Sequence, residues 1–211
     1  MKKIGHQLPD LINEHELKTV VEVGVRSGTL TMRVIGNCPS VERYYCVDPW
    51  KVYCESYDRP PTAAERRQEW WDGLYKRLCD ISKKNPKVLP VRLSSVEAAK
   101  VMTEKIDIVY IDAVHDLINI VNDIYSWLPW IKKGGIISGH DYSKSYWQMC
   151  EGISNIFEDD LNLLIIDPSR PAISYKNTDQ GGNWWVYLND GIKKYRKRVR
   201  SLYGDLIGGV P

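Results

Sequence analysis

The chain has 211 residues, 43% of them hydrophobic and 27% charged, with a formal net charge of +2. That length supports one domain with a full core, and the near-neutral balance supplies no global field for nucleic acid or a membrane surface. Residues 1–211 are therefore read as one domain, with 1–18 a leading helical segment and 191–211 a basic tail. No signal-type apolar segment follows Met1–His6, and no apolar run reaches the roughly 18 residues of a membrane span, so the expected compartment is the cytoplasm. Five irregularly spaced cysteines fit a reducing environment and are read as buried or incidental thiols. Thirteen Tyr and eight Trp stand against one Phe, and some of these are expected to line a pocket.

Gln7–Glu16 has apolar residues at helical spacing, and Thr19–Val23 is a β-branched run that reads as a buried parallel strand. Thr29–Ile35 follows as a helix that Gly36-Asn37 stops, and Tyr44–Val47 is the second strand, ending at Asp48-Pro49-Trp50. Pro60-Pro61-Thr62 opens a long helix with Trp70, Leu74, Leu78 and Ile81 as its buried stripe, closing near Asn85-Pro86. Lys87–Leu93 is strand three, and Ser94 or Ser95 caps the next helix. Ile106–Ile111 is strand four, Leu117–Leu128 a helix, and Lys132–Gly135 a stop before strand five at Ile136–Ser138. A helix around Tyr146–Phe157 and strands at Leu163–Ile166 and Asn183–Leu188 complete the pattern. Strands alternating with helices predict right-handed crossovers and a mostly parallel, doubly wound α/β sheet with helices on both faces. The block Lys193–Arg200 reads as a solvated terminal helix rather than a phosphate-binding surface.

Ligands of such sheets sit beyond the carboxyl ends of the strands. The polar punctuation falls there: Glu22, Gly24 and Gly28; Asp48; Ser94 and Ser95; Asp112 and His115; His140 and Asp141. A dinucleotide fingerprint starting at Gly24 fails, because Arg26 and Thr29 stand where it needs glycine. What fits is Glu22-x-Gly24-x-x-x-Gly28, with Asp48 lying 20 residues after Gly28, where an acid can hold a ribose diol. With the segments YYCVDPW (44–50), DIVYIDAVHDLINIVNDIYSWL (107–128) and KGGIISGHDY (133–142), the chain resembles the class I S-adenosylmethionine-dependent methyltransferases, and within them a small subgroup related to metal-dependent O-methyltransferases.

The resemblance implies a Rossmann-like seven-stranded sheet whose last strand is antiparallel. It also implies that Glu22, Gly24, Arg26 and Gly28 form the cofactor loop and that Asp48 holds the ribose hydroxyls. Pro49 and Trp50 would flank the adenine, Ser94 or Ser95 would lie at its edge, and Asp112 would sit under the methionine moiety. Methyl transfer needs two aligned reactants and, for a hydroxyl acceptor, a base. His115 and His140 are candidate bases, two of only four histidines in the chain. In metal-dependent relatives, acids at the ends of strands four and five bind a divalent cation; Asp112 and Asp141 hold those places, which makes Mg²⁺ a candidate second cofactor. Tyr142 stands where such relatives carry an Asn or Asp ligand, and Val114 where an acid often stands beside the histidine.

The acceptor is expected to be a small molecule or glycan, chosen by the 50–61 loop with Tyr53 and Tyr57, by the 168–183 loop with Arg170, Tyr175, Lys176, Asp179 and Gln180, and by Tyr142, Tyr146 and Trp147. The competing readings are a methyltransferase acting on RNA or protein, a nucleotide- or NAD-binding protein, and a cofactor binder without turnover. Exposed Trp- or Tyr-rich patches would be candidates for a homo-oligomer interface.

Overall fold

A computed structural model describes residues 7–52, 61–164, 182–189 and 191–207. Its elements are α1 (Gln7–His15), β1 (Thr19–Val23), α2 (Thr29–Asn37), β2 (Arg43–Val47), α3 (Gln68–Lys84), β3 (Val88–Val91) and α4 (Ser95–Val101). They continue with β4 (Ile106–Ile111), α5 (Leu117–Trp127), β5 (Ile131–Tyr142), α6 (Trp147–Phe157), β6 (Asn162–Leu164), β7 (Gly182–Leu188) and α7 (Ile192–Tyr203). The strands form one seven-stranded sheet in the order β3-β2-β1-β4-β5-β7-β6, with β7 antiparallel to both neighbours. Strand order reverses between β1 and β4, and that switch point opens a crevice at the carboxyl ends.

Alternation along each strand divides the core into two layers. Val20, Tyr44, Cys46, Ile108, Tyr110 and Ile136 pack with α1, α2 and α3. Val21, Val23, Val47, Val109, Ile111, Ile137, Trp184 and Val186 face α4 to α7. The large aromatics mostly fill these layers rather than line a pocket: Trp50, Trp127, Trp184, Tyr44, Tyr110 and Tyr125 are fully buried. Their area supplies the apolar burial that a single Phe would not.

Several boundaries differ from the sequence reading, each for a local reason. Lys132–Gly135 does not stop a segment; β5 already begins at Ile131 and passes through a register shift opposite Ile106 and Ile108. Gly134 takes φ +78°, and a Cβ on Gly135 would lie 2.8 Å from the Asp107 carbonyl oxygen, so the glycines carry the strand through a bulge. The long helix starts at Gln68 rather than at Thr62, because Glu65 accepts the Thr62 N–H at 2.8 Å and holds the preceding turn. Trp71, not Trp70, is its buried tryptophan. Ser94 does cap α4 through a reciprocal pair with Glu97.

The basic tail is the terminal helix α7, with Lys193, Lys194, Lys197 and Arg200 exposed as expected and only Tyr195 and Val199 buried. Lys194 pairs with Asp160 at 2.8 Å and Arg198 with Glu158 at 2.7 Å, while Arg200 donates to the Tyr125 hydroxyl. No helix among the described residues is long and apolar enough to cross a membrane. Cys38, Cys46, Cys79 and Cys150 are free thiols, the first two buried.

Candidate functional site

The β1–α2 turn is shaped by close backbone approach. Gly24 adopts φ +90°, and a Cβ there would lie 2.1 Å from the Asp112 carbonyl oxygen, so only glycine lets the ends of β1 and β4 meet. The ladder bonds continue past the strands here, Gly24 N–H to Val47 O at 2.9 Å and Asp112 N–H to Val23 O at 2.8 Å. Gly28, at φ +74°, precedes α2 with no side chain capping the helix, which leaves its first-turn N–H groups aimed outward.

Asp48 ties this turn down. Its Oδ2 accepts the Val25 N–H at 3.1 Å and the Arg26 N–H at 2.9 Å, and its Oδ1 accepts the Trp50 N–H at 2.7 Å. A carboxylate offers about four acceptor positions, so three are taken and one remains for an incoming hydroxyl. Burial raises the pKa of Asp48, and the three backbone bonds oppose that rise. Arg26 reaches outward to Glu65 at 2.5 Å and lies over the Trp70 ring. Glu65, 6% exposed, was not legible as a site-adjacent residue in the sequence.

Glu22 lies beneath the crevice rather than on its surface. It is 2% exposed and accepts from the Thr31 hydroxyl at 2.6 Å and the Tyr44 hydroxyl at 2.8 Å, both on Oε2. Burial pushes its pKa up to about 8. Trp50 is likewise interior: its indole N–H donates to the Arg26 carbonyl at 3.0 Å and its ring packs on Tyr75. The Pro49 carbonyl accepts from Arg92. Both serines beyond β3 have occupied hydroxyls, Ser94 in the α4 cap and Ser95 accepting the Trp127 indole N–H at 3.0 Å. Ser95 also bonds Asp123, a buried acid whose pKa desolvation pushes up to about 7. A hydroxyl that accepts from Trp127 has its own proton for Asp123, so both serine hydroxyls are engaged within the protein.

The ends of β4 and β5 bring the remaining residues together. One carboxylate oxygen each of Asp112 and Asp141 and a ring nitrogen of His115 all lie within 4.8 Å of one another. Asp141 Oδ2 lies 3.0 Å from His115 Nε2, and Asp141 Oδ1 lies 3.0 Å from His140 Nδ1. Burial works against the Asp141 carboxylate, but the two imidazoles outweigh it and hold its pKa well below the usual range. Asp112 shifts the other way, raised by burial and by Asp141 against the two histidines. His140 is raised as well: burial lowers it, and the bond to Asp141 more than compensates. The His115 ring stacks on Tyr146 at 4.4 Å between centroids. Tyr142, by contrast, is 7% exposed and its hydroxyl meets Ser154 at 2.6 Å. Arg26, Trp50 and Asp141 are three of the five non-glycine residues with positive φ among those described. Left-handed backbone costs about 1–2 kcal/mol per residue, and its concentration here marks a site rather than scattered strain.

Asp112, His115, His140 and Asp141 thus form one group, and Gly24, Gly28 and Asp48 form the adjoining turn. Glu22 and the Trp50 ring support both from below. Tyr53 and Tyr57, and Arg170, Tyr175, Lys176, Asp179 and Gln180, lie outside the described residues.

Comparison with known proteins bears on the fold and the family. A family model described as a methyltransferase domain, Methyltransf_24, matches residues 21–142. A search of curated proteins returns no match. Among solved structures, an rRNA methylase from Streptococcus thermophilus is similar at TM-score 0.59 and 14% identity, over 89% of this chain and 98% of that one. N-methyltransferase NodS from Bradyrhizobium japonicum WM9 gives 0.56 and 11%, covering 88% and 94%. An O-methyltransferase from Bacillus cereus in complex with SAH gives 0.54 and 14%, covering 88% and 82%. Such identities carry the fold alone, and the three neighbours are named for three different kinds of methylation. The family match spans more than half the chain, from β1 through the end of β5, and the chain belongs to the class I S-adenosylmethionine-dependent methyltransferases.

Proposed function

We propose that the chain methylates a hydroxyl oxygen of a small molecule or sugar, with the cofactor against the Gly24–Gly28 turn and Asp48. The observation that carries this reading is the Asp141 carboxylate held between His140 Nδ1 and His115 Nε2, each at 3.0 Å, beside Asp112. A hydroxyl is a poor nucleophile until its proton leaves, and this group is equipped to take it. With Nδ1–H of His140 donated to Asp141, the neutral imidazole carries its lone pair on Nε2. That nitrogen accepts the hydroxyl proton as the oxygen forms its bond to the methyl carbon. The carbon–sulfur bond breaks, its electron pair goes to sulfur, and the sulfonium becomes a neutral thioether. The leaving group needs no acid, so alignment of the two reactants carries most of the catalysis, worth roughly 7–11 kcal/mol in favourable cases.

The donors Asp112, His115 and Asp141, two carboxylates and one imidazole with mutually close ligand atoms, would also hold a divalent cation; the carboxylates suit Mg²⁺, whereas the imidazole is a ligand more typical of transition ions. Bound there, the ion would lower the acceptor hydroxyl's pKa. The RNA reading is weakened because α7 spends Lys194, Arg198 and Arg200 on contacts to the body. The test is transfer of tritiated methyl from S-adenosylmethionine to pooled hydroxylated metabolites, sugars and total RNA, with and without EDTA. The reading expects label in small-molecule methyl ethers, and loss of at least tenfold in His140→Ala. Label found only in RNA or protein would overturn it, and activity indifferent to both EDTA and added Mg²⁺ would remove the metal.

A further inference from the structure

Trp50 is the joint from which the cofactor turn hangs, and each of its polar groups is bonded to a different part of the fold. Its backbone N–H donates to Asp48 Oδ1 at 2.7 Å and its indole N–H to the Arg26 carbonyl at 3.0 Å. Its own carbonyl takes two donors, which fills both lone pairs. One is Gln68 Nε2 at 2.8 Å, from the first turn of α3; the other is Arg92 Nη2 at 3.1 Å, from the residue after β3. Gln68 Oε1 also accepts the Val52 N–H at 3.3 Å, and Arg92 Nε donates to the Pro49 carbonyl at 3.4 Å. Each peptide group from Pro49 to Val52 is therefore held from outside the segment. Asp72 Oδ1 orients both holders, accepting from Arg92 and, at 3.0 Å, from Gln68. The Arg92 guanidinium lies over the Tyr75 ring, which packs in turn on Trp50.

This bracing holds a backbone that a bulky L-residue rarely adopts, φ +43° at Trp50. A right-handed Trp50 would turn its N–H away from Asp48 Oδ1. The carboxylate could then rotate about its Cβ–Cγ bond, and its remaining acceptor position would no longer be fixed. Resting on the reading that Asp48 and this turn hold the cofactor, we propose that Arg92 and Gln68 are positioning residues for the cofactor's nucleoside half. They act through Trp50: by gripping its carbonyl they select the left-handed backbone, and that backbone sets the Asp48 carboxylate for a ribose hydroxyl. The role at Arg92 calls for a guanidinium and not for charge alone. Its planar fork serves the Pro49 and Trp50 carbonyls and Asp72 together, whereas a lysine ammonium is a point charge.

The test is calorimetric titration of the full chain with SAH and with methylthioadenosine, which keeps the nucleoside and lacks the amino-acid end. Arg92→Lys keeps a cation beside Asp72 and Tyr75 but gives up the fork. Gln68→Met keeps the length of the side chain and gives up the donor. In each variant Kd for SAH should rise roughly tenfold, Kd for methylthioadenosine should rise by about the same factor, and one site per chain should remain. The two variants break different bonds to the same carbonyl, so either serves should the other not fold. A purely structural role gives instead a lower Tm and fewer competent sites, with Kd within about twofold of wild type, and that result overturns the proposal. So does a loss of SAH affinity that spares methylthioadenosine, or a wild type that binds SAH but not methylthioadenosine at millimolar ligand. A wild type that binds neither ligand overturns the cofactor reading itself, and this inference with it.

Discussion

Asp48→Asn is the sharpest perturbation of the cofactor turn because it changes almost no volume. The carboxylate accepts three backbone N–H groups, two on Oδ2 and one on Oδ1. An amide has one oxygen and one NH₂, so in either orientation its NH₂ faces at least one of those donors. With the oxygen kept on Val25 and Arg26, the Trp50 N–H loses its acceptor and the other two bonds lose their charge assistance. A bond to a charged group contributes about 1.5–3 kcal/mol, and an orphaned buried donor costs about 1–3 kcal/mol. The neutral amide recovers some of the desolvation that raises the Asp48 pKa, which sets the net loss near the lower part of that range, about 2–4 kcal/mol. For a chain of this size that is a fall of roughly 4–16 °C in Tm. Urea denaturation of the apoprotein reads the structural part, and SAH titration by calorimetry reads the ligand part. The reasoning requires both to suffer. A variant as stable as wild type that had lost SAH affinity alone would show that Asp48 serves the ligand and does not hold the turn.

Glu22→Gln should flatten the pH dependence of stability. Glu22 titrates near 4.5 in the unfolded chain and at about 8 when buried, so the native state holds the extra proton between those values and wild-type stability falls as pH rises through that window. The span amounts to a few kcal/mol at about 1.36 kcal/mol per unit, and parallel pH profiles for wild type and variant would refute it. Gly24→Ala should lose more than about 4 kcal/mol, since its Cβ would lie 2.1 Å from a backbone oxygen at φ +90°; a soluble variant with wild-type circular dichroism and urea midpoint would contradict this. Arg26→Ala should cost more than Glu65→Gln in urea midpoints, because it takes the cation away from a carboxylate 7% exposed while Arg26 itself is 56% exposed. Equal costs would mean that the pair is a surface contact only.

The sheet was legible because its strands are short β-branched runs separated by helical periodicity, and the strand-end acids mark the crevice. What escaped the sequence was direction and company. Trp50 sits beside Asp48 in the chain, yet the left-handed backbone at Trp50 turns its ring into the core. Ser94 and Ser95 stand at the right strand end, but capping and the Trp127–Asp123 contact claim their hydroxyls. Lys132–Gly135 reads as punctuation locally, and only the pairing of β4 with β5 shows it to be a bulge. His115 follows β4 as expected, whereas β5 runs past the expected end at Ser138 to Tyr142 and holds His140 within it, and the two rings share the Asp141 carboxylate beside its left-handed backbone.

The most direct measurement is calorimetric titration of the apoprotein with S-adenosylhomocysteine, alongside thermal melting in the same buffer. If the turn at Gly24, Asp48 and the Asp112 group form one cofactor crevice, binding saturates at one site per chain below millimolar ligand. Stability should then rise by about 2.7 kcal/mol at a hundredfold excess over Kd. No heat and no change in Tm at millimolar S-adenosylhomocysteine would contradict the account.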